Sequence, residues 1–136
     1  MKILFVAGFA PISRDSSASC DFYIRDLGLP MDPEAEYPST DALGGAKHFG
    51  LWSLAQAAQS CFGTAEWPAD VPIPQATIEF EVEDVAAAAR ELESKGHQLL
   101  HPARVEPWKQ TVARLLSPEG LLVGLSYTPW LHGESG

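Results

Sequence analysis

The sequence predicts an α+β fold in which one unit, a strand followed by a helix and then by up to three further strands, is used twice. Three observations carry that prediction. Residues 76–82 alternate Ala76, Ile78, Phe80 and Val82 with Thr77, Glu79 and Glu81, the period of a half-buried strand, and a helical pattern follows directly. The first half of the chain runs through a similar order of apolar strand, capping residues, helix and glycine stop. Between the halves, Trp67 to Pro74 holds three prolines near the centre of the 136 residues and reads as a linker.

Residues 2–10 are apolar and β-like. Met1-Lys2 with Ile3 to Ala10 superficially carries the charged and apolar parts of a secretory leader, but the run is short, Pro11 closes it and a helical pattern follows, so a buried first strand accounts for it better. No stretch approaches the roughly 20 apolar residues that a membrane span requires. Ser13-Arg14-Asp15-Ser16-Ser17 is a cluster of helix-capping types, after which Ala18, Phe22, Tyr23 and Leu27 recur at helical spacing up to Gly28. Pro30 to Gly45, rich in Pro, Asp, Ser and Gly, is expected to hold turns with at most one short strand near residues 35–37. Lys47 to Leu54 reads as a strand and Ala55 to Phe62 as a brief helix.

After the linker, the strand at 76–82 leads into Glu83-Asp84, acids that suit the positive end of a helix over Val85 to Lys95, which Gly96 terminates. His97 to His101, Gln110 to Leu116 and Leu121 to Tyr127 read as strands, the last two a hairpin through Ser117-Pro118-Glu119-Gly120. Residues 131–136 read as a frayed tail. Sliding the second half back by 69 residues lays Gly8 on Thr77 and Asp15 on Asp84, with the stops Gly28 and Gly96 within one position. A slightly larger shift lays Phe49-Gly50-Leu51 over Val123-Gly124-Leu125. The repeat is one of pattern, not of matching letters.

Composition narrows the function. With 46% apolar residues, the chain can build a core without disulfides or metal, and a single domain over residues 1–130 is expected, its modules covering about 1–66 and 75–130. The net charge is −9 and the basic residues are scattered, which argues against nucleic acid, since phosphate neutralisation needs a basic patch. Cys20 and Cys61 show no CxxC spacing and read as free thiols in a reducing, cytoplasmic compartment; neither sits in a motif that would make a nucleophile.

The stretch Ala76 to Val85, then Gly96-His97, His101-Pro102, Glu106-Pro107-Trp108 and Ser117-Pro118-Glu119-Gly120-Leu121-Leu122-Val123 resembles the C-terminal module of the vicinal-oxygen-chelate superfamily, which includes glyoxalase, bleomycin-resistance and dioxygenase domains. Ser13-Arg14-Asp15 with Phe22-Tyr23 and Leu27-Gly28 resembles its first module. The resemblance spans most of residues 3–130. It implies two βαβββ modules forming a paired, incomplete-barrel mixed sheet around a cleft.

Metal-using members place His, Glu or Gln side chains in that cleft, and the matching positions here are Gly8, Gly50, Thr77 and Gly124. Three glycines and a threonine do not make a ligand set for a divalent ion, so no metal or other cofactor is expected. A wrong register, which at one residue exchanges strand faces, would bring in Glu79 or, at a shift of two, His48, still too few ligands. Glycine on a cleft-facing strand instead leaves space for a ligand. Phe9, His48, Trp52, Thr77, Glu79, Trp108 and Gln110 are the expected lining of that cleft, with Trp52 and Trp108 open to an alternative role in the core or at a dimer contact. Glu79 and His48 are the candidates for acid–base work, Glu79 because Ile78 and Phe80 fill the opposite face; an exposed ion pair is its plainer role. His97, His101 and His132 read as solvated or structural.

The leading expectation is thus a metal-free binding protein for a small molecule, aromatic or cationic, resembling the antibiotic-sequestering members and pairing as a homodimer. A metal-independent enzyme of glyoxalase/lyase or dioxygenase type, and a non-catalytic structural module with a vestigial cleft, are the alternatives.

Overall fold

The computed structural model describes residues 1–134. Strand β1 (Phe5–Ser13) leads to Asp15, whose carboxylate accepts from the Ala18 amide and starts α1 (Ser16–Cys20). Asp84 does the same for the Ala87 amide at the start of α3 (Val85–Ser94). Both caps and both partners lie 69 residues apart, so the offset read from pattern is realised in the hydrogen bonds that begin each helix. α1 continues as a turn of π-helix over Asp21–Asp26 and stops at Gly28, in the left-handed region at φ 74°.

The remaining strands of the first module are short: β2 (Ser39–Thr40), β3 (Phe49–Gly50) and β4 (Trp52–Ser53), followed by α2 (Leu54–Phe62). The second module carries β5 (Ala76–Glu81), then α3, β6 (His101–Val105), β7 (Thr111–Leu116) and β8 (Leu122–Tyr127), with a closing 3₁₀ turn over Pro129–His132. Together they form one eight-stranded mixed sheet in the order β2-β3-β1-β5-β8-β7-β6, with β4 also beside β1. In each module the first strand runs parallel to the last, β1 to β3 and β4, and β5 to β8. The modules join where β1 and β5 pair antiparallel. Phe9 faces Ile78 there, again 69 residues apart, so a local two-fold axis passes between them.

Side chains of successive strand residues leave opposite faces, and paired residues share a face. On one face α3 packs Val85, Ala88 and Ala89 with Val82, Ala113 and Leu125. The other face is covered at one end by α2, whose Ala57 and Cys61 pack with Ala10, Ile12, Trp52 and Leu122. Small residues on α2 let that helix lie close, and a capping box between Ser53 and Gln56 sets where it begins.

Several boundaries differ from the sequence expectation. β1 extends past Pro11 because its parallel neighbour is broken at Leu51: β3 pairs at Phe9–Phe49 and β4 takes over at Ile12–Trp52, so the proline's missing donor falls beside the break. The strand expected over 47–54 is therefore two fragments, and Leu54 already belongs to α2. The short strand expected at 35–37 lies at Ser39–Thr40. The strand expected at 97–101 begins at His101 and continues through Pro102, which an outermost strand tolerates. Leu131 and His132, placed in a tail, belong to the 3₁₀ turn, while residues 135–136 lie outside the described residues. Among the described residues no helix is long and apolar enough to cross a membrane.

Candidate functional site

The face left open between α2 and the far edge of the sheet forms a cleft with a cavity volume of about 870 Å³, to which both modules contribute. One row of paired residues sets its floor: Gly8, Glu79, Gly124, Arg114 and His101 on β1, β5, β8, β7 and β6. Glycines flank Glu79 on both sides. A Cβ at Gly124 would stand 3.1 Å from the Glu79 Cγ, so the missing side chain is what lets Glu79 lie across β8 toward Arg114.

Glu79 is held from the rim. Its Oε1 accepts from Gln110 Nε2 at 3.0 Å, and that nitrogen also donates to Thr128 Oγ1 at 2.9 Å. The Gln110 oxygen accepts from the Trp108 indole at 2.9 Å. A donor-only indole on one side and a carboxylate on the other fix which way the amide points. The β6–β7 turn supplies both residues: Glu106 and Gln110 close it by backbone hydrogen bonds, and Lys109 takes a positive φ of 78° to do so. Trp108 is left 43% exposed beside the cleft.

Arg114 is fully buried. Its Nη1 donates to Glu106 Oε1 at 2.7 Å and to His101 Nε2 at 3.2 Å, and the guanidinium carbon lies 5.1 Å from the Trp52 ring centre. His101 accepts because its Nδ1–H is given to the Pro102 carbonyl at 2.7 Å. Burial, aided by the Arg114 and Arg104 cations, pushes its pKa down to about 4, so the ring stays neutral. The Nε and Nη2 of Arg114 have no hydrogen-bond partner among the described residues; Nη2 stands 4.0 Å from Glu79 Oε2.

Across the cleft, His48 Nδ1 lies 2.6 Å from Asp41 Oδ1 and its Nε2 lies 2.8 Å from the Tyr37 hydroxyl. A carboxylate only accepts, so Nδ1–H donates to Asp41 and Nε2 accepts from Tyr37. Burial, then the charges of Glu79 and Asp41, push the Tyr37 phenol well above its ordinary range, which keeps it a neutral donor. Tyr37 lies against Gly50, where any Cβ would overlap its ring and hydroxyl.

The seven residues expected to line the cleft all border it. Their roles separate. Glu79, Gln110, Trp108 and His48 present polar or aromatic groups, whereas the Thr77 hydroxyl is spent on the Leu122 carbonyl at 2.9 Å and Trp52 is largely core. Phe9 sits at the alternate parity and its ring stacks on Phe49, so Ala10 holds the cleft-facing position instead. Tyr37, Asp41 and Arg114 were not singled out by the sequence, and Glu106 entered only through the Glu106-Pro107-Trp108 resemblance; the hairpin register that pairs Gly124 with Arg114 is the signal that would have found Arg114. Glu81, on the same strand face as Glu79, is structural: buried, it accepts from Ser126, from the Thr128 amide and hydroxyl, and meets His132 Nε2 at 2.7 Å, tying the 3₁₀ turn to the sheet.

The side chains do not fit a divalent ion. Gly8, Gly50 and Gly124 carry no donor, the Thr77 hydroxyl faces a carbonyl, and both His48 nitrogens are engaged. Among the described residues no group of three His, Cys, Asp or Glu converges.

Paired βαβββ modules joined through their first strands around a shared cleft define the class of protein. The chain belongs to the glyoxalase/bleomycin resistance protein/dioxygenase superfamily, whose family model matches residues 9–125. Among solved structures it is similar to a methylmalonyl-CoA epimerase from Mycobacterium tuberculosis, at 17% identity and a TM-score of 0.58, covering 96% of this chain and 93% of that one. A Streptomyces coelicolor methylmalonyl-CoA epimerase in complex with 2-nitronate-propionyl-CoA gives 18% identity, a TM-score of 0.56 and coverage of 99% and 100%. A superfamily member from Vibrio splendidus 12B01 gives 15% identity, a TM-score of 0.54 and coverage of 88% and 96%. At these identities the likeness shows the fold. No curated protein matches the chain.

Proposed function

We propose that this protein binds a small, flat, largely apolar molecule in its cleft without a metal ion. The supporting observation is that the polar side chains of the cleft hold one another in place, as in Trp108–Gln110–Glu79 and Asp41–His48–Tyr37, around a cavity of about 870 Å³. A preformed, mostly apolar pocket with a few fixed polar groups is the usual make-up of a small-molecule site. Sequestration of an aromatic compound, an antibiotic included, is one use of such a site, and the homodimer belongs to the same proposal. Sedimentation at micromolar concentration that gives only monomer refutes the dimer.

The test of binding is a thermal-shift screen of flat aromatic compounds, followed by calorimetry on wild type and Trp108→Ala. Binding that weakens at least several-fold in the variant supports the proposal. Absence of any shift across a chemically broad aromatic set at millimolar concentration sinks it.

A second reading, metal-independent proton transfer, is favoured by the Asp41–His48–Tyr37 chain facing Glu79. Deuterium uptake from solvent into a bound carbon acid, lost in His48→Gln, would distinguish turnover from simple binding.

A further inference from the structure

Arg114 is the side chain whose chemistry the rest of the fold leaves unfinished. Its buried guanidinium spends Nη1 on Glu106 and His101, while Nε and Nη2, the two nitrogens of its side-on edge, have no partner among the described residues. That edge is the fork with which arginine binds two lone pairs at once. A buried donor left unmatched is a large penalty, so a fold that keeps two of them beside a cleft calls for an acceptor from outside the chain.

The neighbouring groups restrict which acceptor. Glu79 Oε2 stands 4.0 Å from Nη2, beyond hydrogen-bond distance, with its other oxygen already given to Gln110. Charge is balanced without a ligand: Arg104 and Arg114 share Glu106, and Glu79 offsets the remaining cation. An anionic head would lie against Glu79, and a cationic head against Arg114. A neutral head with a carbonyl oxygen next to an N–H satisfies both, the oxygen accepting from Arg114 and the N–H donating to Glu79 Oε2.

We infer that the cleft selects a neutral cis-amide or lactam head, clamped between the free edge of Arg114 and Glu79, with a flat body toward Trp52 and Trp108. This rests on the binding reading above and names the ligand class for that site.

Four probes of equal flat body separate the alternatives by calorimetry on the full chain: 2-quinolinone, its N-methyl derivative, naphthalene-2-carboxylate and N-methylquinolinium. The expected result is that 2-quinolinone binds at least tenfold tighter than each of the others. Arg114→Lys, which keeps the buried charge but not the fork, is expected to weaken 2-quinolinone and its N-methyl derivative alike by at least several-fold, because both offer the carbonyl oxygen; unchanged affinity for both overturns the role given to the fork. Equal affinity for the lactam and its N-methyl derivative overturns the inference and leaves the binding reading standing. Tightest binding of the carboxylate or of the quinolinium also overturns it, in favour of an oxyanion or a cation site. Binding of none of the four at millimolar concentration counts against both. The wild-type comparison does not depend on any variant folding.

Discussion

Replacing Arg114 with Met removes the most buried cation of the chain while keeping an apolar stem of similar length against Trp52. The partners left behind set the size of the effect. Glu106, 5% exposed, loses its 2.7 Å donor, and His101 Nε2 loses the N–H at 3.2 Å. Stranding a buried carboxylate costs about 3–5 kcal/mol, and the lower end is expected here because Arg104, 3.5 Å from the same Glu106 oxygen, can take over part of the pairing. Removing the stranded charge as well, in Arg114→Met/Glu106→Gln, is expected to recover most of the loss, to within about 1–2 kcal/mol of wild type, since an ion pair replaced as a whole is often close to neutral. Urea unfolding followed by tryptophan fluorescence at pH 7 and analysed as a two-state transition measures both variants. A single variant costing less than about 1 kcal/mol, or a double variant no more stable than the single, would refute the account: the first means that Glu106 is not held by Arg114, the second that lost packing outweighs charge.

Three further outcomes follow from the same contacts. His101, with its pKa held down to about 4 against an ordinary 6.5, is neutral in the fold but protonates in the unfolded chain, so its contribution is complete above pH 6.5 and falls by about 3 kcal/mol as pH drops to 4; in His101→Gln that part of the pH–stability curve should flatten. Glu81→Leu should cost about 3 kcal/mol or more by leaving the Thr128 and Ser126 donors unmatched, and should raise amide exchange in the 3₁₀ turn; unchanged exchange at residues 128–132 would show that the carboxylate does not tie down that turn. Gly50→Ala forces the Tyr37 ring aside at a cost of about 1–3 kcal/mol, and the His48 imidazole resonances should shift with loss of the Tyr37 hydrogen bond; an unperturbed His48 spectrum would contradict the placement of Tyr37.

What the sequence made legible is what local chemistry decides. The aspartate caps and the turn at 117–120 are satisfied by neighbours a few residues away, the alternation at 76–82 is a period carried within the strand itself, and these elements fall where expected. The first module was harder to read because its last three strands are two residues long and owe their place to β1 and to one another, so tertiary contact rather than propensity places them. In the cleft, glycine at positions 8 and 124 correctly signalled space, yet what enters that space is not written beside it. Tyr37 and His48 meet across a turn-rich segment, and Arg114 finds Glu106 only through a backbone turn that puts Lys109 at positive φ. Phe9 borders the cleft as expected, but its ring answers to Phe49, a partner that pairing alone reveals.

The position of β5 has a consequence for the order of assembly. It carries Glu79 at the middle of the sheet, yet its two neighbours are remote along the chain, β1 opposite Phe9–Ile78 and β8 opposite Thr77–Leu122. During synthesis β1 can dock on β5 once the linker has emerged, but the parallel edge of β5 stays open until the chain has run through α3 and two more strands. Closing such a long loop is slow, and an uncovered strand edge invites pairing with other chains. The strand that organises the cleft is therefore the one whose partner arrives last, and conditions that slow the docking of β8 should show up as aggregation before they show up as a loss of the finished fold.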